Sequence, residues 1–191
     1  FSMFFKLQCG VRQGGVLSPQ FFAVYIDDLI RTIVSSKIGC HLRHVCINII
    51  VYADDIVLLA PSVSALQALL NICESEINDI NLQLNCKKSM CIRIGRRFSC
   101  NCANIITADG TELKWVSQLR YLGIFICSST LFKCNHSSAK RAFYGAFNAV
   151  YGRIGRAASA EVILHLVKCK CFPALFYGSE VCPQTTADLR S

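Results

Sequence analysis

Two neighbouring aspartates lie inside an apolar stretch of the chain, "VYADDIVLLA" at residues 51–60, which contains no basic residue. Adjacent carboxylates next to apolar strands repel each other, and this arrangement persists where water or a cation surrounds them. Mg²⁺ prefers such hard carboxylate oxygens and leaves coordination positions for substrate phosphates. Two such ions about 3.5–4 Å apart can stabilise both the attacking and the leaving oxygen of a phosphoryl transfer. Asp54 and Asp55 are therefore candidate metal ligands; the alternative is a surface turn, in which Asp is common.

A second pair, Asp27 and Asp28 in "VYIDDLI", has a different setting. The spacing of apolar residues predicts a helix that begins at Ser18-Pro19 and continues to about residue 33. Both aspartates fall off its apolar stripe, which comprises Phe22, Tyr25, Ile26, Leu29, Ile30 and Ile33. This pair is therefore predicted to be a solvated helix surface.

The stretch around Asp54 and Asp55 has a strand pattern. "VCINIIVY" and "IVLLA" are rich in β-branched and aliphatic residues and are too short for two helices, so they predict a β-hairpin. The two carboxylates fall at or beside its tip.

The elements that follow alternate between helix and strand. After Pro61, a helix with the capping box Ser64-x-x-Gln67 is predicted, and "LQLNCKKSMCIRI" is then extended. "IITADGTELKWV" predicts a hairpin with a tight turn at Asp109-Gly110, and "LRYLGIFI" predicts another strand. Residues 128–138 are the predicted linker to a helical part, in which one helix starts near Ser137 and another covers residues 160–171.

Composition and charge narrow the function class. The 191 residues are 53% hydrophobic and 17% charged, which predicts a folded chain with a sizeable core. Residues 1–83 carry five Lys and Arg against seven Asp and Glu, whereas residues 84–191 carry fifteen against five. An acidic N-terminal part followed by a basic C-terminal part suits a nucleic-acid enzyme, with metal-binding carboxylates in the first part and phosphate-binding cations in the second. A plainly solvated basic surface is the alternative.

The thirteen cysteines show no CxxC pair and no regular disulfide spacing. Several of them occupy positions typical of small apolar residues, which indicates reduced thiols in an intracellular protein, in either the nucleus or the cytoplasm. A zinc site made of Cys100, Cys102, Cys134 and His136 is an alternative that the spacing supports only loosely. The longest apolar run is interrupted by Asp54 and Asp55, so no membrane contact is expected.

Four motifs together carry a family resemblance. "GVRQGGVLSP" (10–19), "YADD" (52–55), "LNCKKS" (84–89) and "YLGI" (121–124) have the order and approximate spacing found in reverse transcriptases of non-LTR, LINE-like retrotransposons. "PALFYGSE" (173–180) resembles the region beyond the palm of those proteins. The resemblance covers residues 4–182 and implies an RNA-directed DNA polymerase, a nucleotidyltransferase that uses Mg²⁺, or Mn²⁺ in its place. It implies an RNA template, a DNA primer and dNTPs as partners, with the rest of the retroelement polyprotein upstream.

The resemblance also implies a role for each residue that matches a motif. Asp54 would be a metal-ligating catalytic carboxylate, with Asp55 as the adjacent ligand, and Tyr52 and Ala53 would lie beside the primer end and the incoming nucleotide. Lys88 would lie near the nucleotide phosphates, where an ammonium group can offset developing charge. Further positions would form the loop that packs against the template–nucleotide pair: Gly10, Arg12, Gln13 and Gly14. The alternative interpretations are a strand-edge lysine that discourages aggregation for Lys88 and an ordinary polar loop residue for Gln13.

The resemblance implies an α+β fold: a partial polymerase palm, with an antiparallel sheet and packed helices, followed by a small helical thumb. Residues 1–130 would form the palm part, which includes the YADD hairpin and a hairpin similar to the primer grip at "YLGI". Residues 137–182 would form the thumb-like part, whose cations would contact nucleic-acid phosphates.

One element of the family pattern has no counterpart in this sequence. The polymerase requires a further aspartate on a strand upstream of the "GVRQGG" loop, and residues 1–9 contain no Asp or Glu. Because phosphoryl transfer depends chiefly on positioning and charge stabilisation, the sequence predicts a fragment, without fingers and first catalytic aspartate, that is inactive alone. The alternative function is a non-catalytic nucleic-acid-binding remnant of a retroelement.

Overall fold

The computed structural model describes residues 14–155 and 157–182. These residues form an α+β structure, which confirms the predicted fold class. They group into two compact units. The first contains the described part of Phe1–Ser89 and Cys102–Lys114, and the second contains Met90–Asn101 and the described part of Trp115–Ser191. The proposed palm and thumb boundaries, 1–130 and 137–182, stay a prediction.

The first unit combines three helices with short antiparallel strands. The helices are α1 (Ser18–Tyr25), α2 (Asp27–Ser35) and α3 (Val63–Asp79). The strands are β1 (Cys40–Leu42), β2 (Val45–Ile47), β3 (Ile49–Tyr52), β4 (Asp55–Leu58) and β6 (Ile105–Ile106). β1 pairs with β2 and β3 pairs with β4. β6 pairs with β7 (Glu112–Trp115), which confirms the predicted hairpin; in its turn Gly110 has a φ of 82°, whereas Asp109 lacks the positive φ that was predicted for it.

The predicted helix over residues 18–33 is two helices. The chain leaves the helical conformation at Ile26, where φ is −97° and ψ is 2°, and α2 starts again at Asp27. The buried positions Ile26, Leu29 and Ile33 agree with the predicted apolar stripe, whereas Tyr25 is exposed. The break lets Tyr25 donate a hydrogen bond from its hydroxyl to the carbonyl of Ile80 after α3.

The capping box predicted for α3 is wrong. The N-cap is Ser62, whose Oγ accepts the N–H of Ala65 at 3.2 Å. Gln67 instead pairs with the backbone of Ile106: its Nε2 donates to the carbonyl at 2.6 Å, and its Oε1 accepts the N–H at 2.8 Å. A contact between Gln67 and Ile106, 39 positions apart in the sequence, thus replaces the predicted capping contact within the first turn of α3.

The core of the first unit lies between α2 and α3. Its buried members are Leu29, Ile33, Leu69, Cys73 and Ile77. Burial, together with the neighbouring Glu74 carboxylate, raises the pKa of the Cys73 thiol to about 11, so Cys73 behaves as a small apolar side chain.

The second unit combines a three-stranded sheet with helices. Strand β5 (Met90–Cys91) precedes β8 (Gln118–Tyr121), β9 (Ile124–Cys127) and β10 (Lys133–Asn135). β9 lies between β8 and β10 and is antiparallel to both. The helices are α4 (Ser137–Ile154), α5 (Ala160–Leu166) and α6 (Phe172–Phe176), with a π-helical turn at Val167–Cys171 between the last two. "LRYLGIFI" is thus two strands and a turn, and the predicted linker contains β10.

All twelve cysteines within the described ranges are free thiols. Five are buried: Cys73, Cys91, Cys134, Cys171 and Cys182. Burial, and then the adjacent Cys182, raise the pKa of Cys134 to about 12. Among the helices at 14–155 and 157–182, none has the length and apolarity needed to cross a membrane.

Candidate active site

The carboxylate pair at residues 54 and 55 lies at the end of the β3–β4 hairpin, as the sequence predicted. The pairing places Tyr52 opposite Asp55, so that Ala53 and Asp54 are the two turn residues. Ala53 has a φ of 52°, in the left-handed region that L-residues rarely adopt. Residues 52–55 are all exposed, Tyr52 to 62%. We call these four residues the acidic tip.

The hairpin behind the acidic tip is held by alternating burial. Ile49, Ile56 and Leu58 pack against the core between α2 and α3, whereas Ile50 and Tyr52 point to the other side and are exposed. Burial alternates along β3, whereas Ile56, Val57 and Leu58 of β4 are all half-buried. One face of the hairpin is therefore fixed to the core while the acidic tip extends from it.

The electrostatic environment separates the two aspartate pairs. Neither the Asp54 nor the Asp55 side chain forms a hydrogen bond or ion pair with any residue that the structure describes. Asp27, by contrast, forms an ion pair with Arg31 at 2.8 Å, one turn along α2. Asp27 and Asp28 also occupy the first turn of that helix, where the helix dipole favours negative charge. A solvated helix surface, as predicted, accounts for Asp27 and Asp28.

The acidic tip fits the donor chemistry of a hard divalent cation. Its two carboxylates are free of protein partners in the described part of the chain, and Mg²⁺ is commonly bound by one or two carboxylates together with waters and substrate phosphates. Within residues 14–155 and 157–182, no group of three or more His, Cys, Asp and Glu side chains is arranged to hold a metal ion. The two carboxylates of the acidic tip could therefore supply only part of a coordination shell, and the zinc site named as an alternative is not among such groups in this part of the chain.

The other predicted site residues lie on separate segments. Gly14 is an exposed turn residue with a φ of 81°, and a Cβ at this position would meet no atom within 4 Å. Lys88 is exposed in a turn that Asn85 organises: the backbone N–H of Lys88 donates to the Asn85 carbonyl at 3.0 Å and to its Oδ1 at 3.2 Å. The predicted loop residues Gly10, Arg12 and Gln13 lie outside the described residues.

Two positioning residues were missed by the sequence analysis. Asn48, between β2 and β3, is 1% exposed, and its Nδ2 donates to the carbonyl of Ile33 at 2.6 Å. A Cβ on Gly39 would lie 2.5 Å from the Asn48 Cβ, so only glycine allows this close approach. The signal was a lone asparagine in an otherwise apolar strand pattern. Asn48 connects the strand that leads to the acidic tip to helix α2.

A second two-residue hairpin occurs in the other unit. Tyr121 pairs with Ile124 across a turn in which Leu122 and Gly123 have φ values of 45° and 84°. The hydroxyl of Tyr177 donates a 3.0 Å hydrogen bond to the carbonyl of Leu122, and its ring lies where a Cβ on Gly123 would project. We call residues 121–124 the covered tip, because Tyr177 lies on it.

Comparison with known proteins gives one family and two informative relatives. Residues 2–126 match the reverse transcriptase (RNA-dependent DNA polymerase) family. The chain is 30% identical over 133 residues to the retrovirus-related Pol polyprotein from type-2 retrotransposable element R2DM of Drosophila melanogaster, covering 66% of this chain and 12% of that protein. It is 24% identical over 183 residues to the RNA-directed DNA polymerase from mobile element jockey of Drosophila funebris, covering 92% of this chain and 19% of that protein.

Proposed function

The chain belongs to the reverse transcriptase family, with relatives in non-LTR retrotransposons, and we propose that its acidic tip is the metal-binding part of a polymerase site. The predicted resemblance to LINE-like reverse transcriptases is thereby confirmed. The chain spans less than a fifth of the length of either curated relative, so we propose its own activity, substrates and partners from the site.

The observation that carries this proposal is the pair of exposed carboxylates, without partners among the described residues, at the end of a hairpin that packs against the core. Asp54 and Asp55 would ligate Mg²⁺, with Mn²⁺ as a substitute, because both ions take carboxylate oxygens. When bound, the metal supplies charge stabilisation for a transferring phosphoryl group. Asp27 of the other pair, by contrast, already has a protein partner in Arg31.

The other residues of the site would bind and orient the substrates. Tyr52 and Ala53 would lie beside the primer end, and Gly14, in the loop with Gly10, Arg12 and Gln13, would allow close approach of the template–nucleotide pair. Lys88, whose side chain forms no ion pair within the described residues, would offset phosphate charge. The partners are an RNA template, a DNA primer and dNTPs.

The second unit supports a nucleic-acid partner through its charge. It contains twelve Lys and Arg residues against three acidic residues, whereas the first unit contains eight against nine. Helix α4 has no acidic residue, and its Arg141 and Arg153 are exposed. We propose that this surface contacts the phosphates of the template–primer.

Metal binding is tested directly with Tb³⁺, whose luminescence is sensitised by a nearby tyrosine, here Tyr52. We expect a Tb³⁺ signal from the unaltered chain that Mg²⁺ or Mn²⁺ suppresses, and a loss of affinity of about tenfold for Asp54→Asn, because one of two anionic ligands is removed. Asp27→Asn is the matched control, since it removes an aspartate of the other pair. Equal loss in both variants would contradict a site at the acidic tip.

Catalysis is tested separately by primer extension on a poly(A) template with Mg²⁺. Residues 1–26 contain no Asp or Glu, so they do not supply the further aspartate that the resemblance implies, and we expect these 191 residues alone to bind template–primer without incorporating dTTP. Incorporation that Asp54→Asn abolishes would show an active polymerase and would overturn the expected inactivity. Binding of template–primer without incorporation supports the expected inactivity. In that case, Tb³⁺ binding that Asp54→Asn abolishes indicates a preserved metal site, and no Tb³⁺ binding by the unaltered chain indicates a vestigial one.

A further inference from the structure

The β1–β2 hairpin ends in an exposed apolar and basic tip that no role above uses. Leu42 and Val45 face each other across the two strands and are 66% and 63% exposed. Arg43 and His44 are the turn residues between them and are also exposed. We call residues 42–45 the basic tip. Its two large apolar side chains in water serve no packing purpose within the described structure.

The turn of the basic tip places a cation at a strained position. Arg43 has a φ of 57°, a left-handed conformation that costs a non-glycine residue about 1–2 kcal/mol. Glycine or asparagine would relieve this cost. The exposed arginine makes no hydrogen bond or ion pair with any residue that the structure describes, so nothing inside this part of the protein compensates for the strain.

Apart from its histidines, the charged residues of the chain segment that carries the basic tip are all cations. No acidic residue occurs between Asp28 and Asp54 in the sequence, whereas Lys37 and Arg43 are exposed cations there, and His41 lies beside the tip on β1. The first unit as a whole carries nine acidic residues, so this segment departs from its surroundings. An anionic partner fits such a surface.

The base of this hairpin is anchored by packing and hydrogen bonds although its tip is bare. Gly39 immediately precedes β1, Asn48 immediately follows β2, and the two residues lie against each other. The side chain of Asn48 also donates a hydrogen bond to the carbonyl of Ile33 in α2. The carbonyl of Asn48 also accepts the N–H of Leu59 at 2.8 Å. A tip on such a base can contact a partner without first ordering a flexible loop, which lowers the entropic cost of binding.

The separation of the basic tip from the acidic tip has an upper limit set by the chain between them. Seven peptide units separate Val45 from Tyr52, so the two tips are at most about 25 Å apart along this path. One helical turn of duplex is about 34 Å long.

We propose that the basic tip is a nucleic-acid contact, with Arg43 on a backbone phosphate and Leu42 and Val45 against the sugar and base edges of the template–primer duplex. Phosphate contacts and small apolar wedges are common where a β-ribbon meets a duplex. The proposal rests on the nucleic-acid partner named under the proposed function.

Fluorescence anisotropy of a labelled RNA–DNA hybrid tests the contact at several salt concentrations, with the full chain. We expect Arg43→Gln to weaken binding about three- to tenfold and to reduce the slope of log K against log salt by about 1. The double variant Leu42→Ser with Val45→Ser should weaken binding about threefold without changing that slope. Lys114→Gln and Val34→Ser, an exposed cation and an exposed apolar residue elsewhere in the first unit, are matched controls and should bind as the parent does.

Three outcomes overturn the proposal. If the parent binds the hybrid and the tip variants bind equally well, the basic tip is no contact, while the proposed function stands. If the parent fails to bind the hybrid, both the contact and the nucleic-acid partner are wrong. If polyglutamate competes as well as unlabelled hybrid and the Leu42/Val45 variant is neutral, the attraction is non-specific. Thermal unfolding of each variant, with midpoints matching the parent, separates lost contact from lost structure.

Discussion

The acidic tip and the covered tip are built on the same plan and stabilised at opposite ends. Both close a two-residue turn with a non-glycine residue in the left-handed region, Ala53 at 52° and Leu122 at 45°. The first hairpin is fixed at its base, where Asn48 is buried against α2, and its tip is bare. The second is fixed at its tip, where Tyr177 covers the turn. Anchoring at the base leaves carboxylates free for a ligand, whereas anchoring at the tip makes the turn part of the packing.

The largest effect is expected at the base of the first hairpin. Asn48→Ala removes the hydrogen bond to Ile33 and leaves a small void in a buried site, so we expect a loss of about 2–3 kcal/mol in the free energy of unfolding. Urea denaturation followed by circular dichroism measures this loss. Asn78→Ala, at an exposed position of α3, is the control and should change stability by less than about 0.5 kcal/mol. Equal costs for the two variants would remove Asn48 as the anchor.

The covered tip should show the next largest effect. Gly123→Ala adds a Cβ at a φ of 84° and places it 3.0 Å from the Cε1 of Tyr177, so we expect a loss of about 2 kcal/mol. Gly110→Ala is the matched control, because its φ is 82° and its Cβ would meet open space. It should cost about 1 kcal/mol, and the difference between the two variants measures the packing of Tyr177 on the turn. No difference would mean that the ring gives way freely and that the tip is not anchored there.

How far these features were predictable depends on the range of the contacts. The β3–β4 hairpin, its acidic tip and the turn at Asp109-Gly110 follow from local patterns, and the structure shows them. The break at Ile26 did not follow, and at the start of α3 the cap is Ser62 instead of Ser64, a local choice between two nearby serines. Gln67 suited a local capping box, but it pairs with Ile106, and Tyr177 reaches Leu122 across 55 residues. The residues near Gln67 and Tyr177 in the sequence do not identify these distant partners, so tertiary contacts override the local preferences there.

The hydrogen bond on the covered tip should contribute less than its packing. Tyr177→Phe keeps the ring over Gly123 and removes the donor to the Leu122 carbonyl, and we expect a loss of about 1 kcal/mol in urea denaturation. Tyr144→Phe is the control, since Tyr144 is an exposed tyrosine of the same unit whose hydroxyl forms no hydrogen bond with any residue that the structure describes. A Tyr177→Phe variant as stable as the Tyr144→Phe variant would assign the anchoring to ring packing alone.

A smaller effect of opposite sign is expected at the turn of the acidic tip. Ala53→Gly removes the strain of an L-residue in the left-handed region, but glycine also increases the entropy of the unfolded chain, which opposes folding. The net effect that we expect is a stabilisation of about 0.5 kcal/mol. Ala149→Gly, at an exposed position within α4, should destabilise the protein by about 1 kcal/mol, because there the backbone is helical. If both substitutions destabilise, the strain at Ala53 is not real, and the two hairpins differ in more than the position of their anchors.

The smallest effect should come from the acidic tip itself. Because neither carboxylate at residues 54 and 55 has a protein partner in the described structure, removing one charge removes repulsion and breaks no contact. We therefore expect Asp54→Asn to leave stability unchanged or raise it by up to about 0.5 kcal/mol in urea denaturation with EDTA. Asp27→Asn should lower stability by about 0.5 kcal/mol, since it loses Arg31 and a favourable helix-dipole position. A loss above 1 kcal/mol for Asp54→Asn would give this carboxylate a structural role. Conversely, a variant that folds as well as the parent and has lost Tb³⁺ would show that the chain retains Asp54 for a ligand and not for its fold.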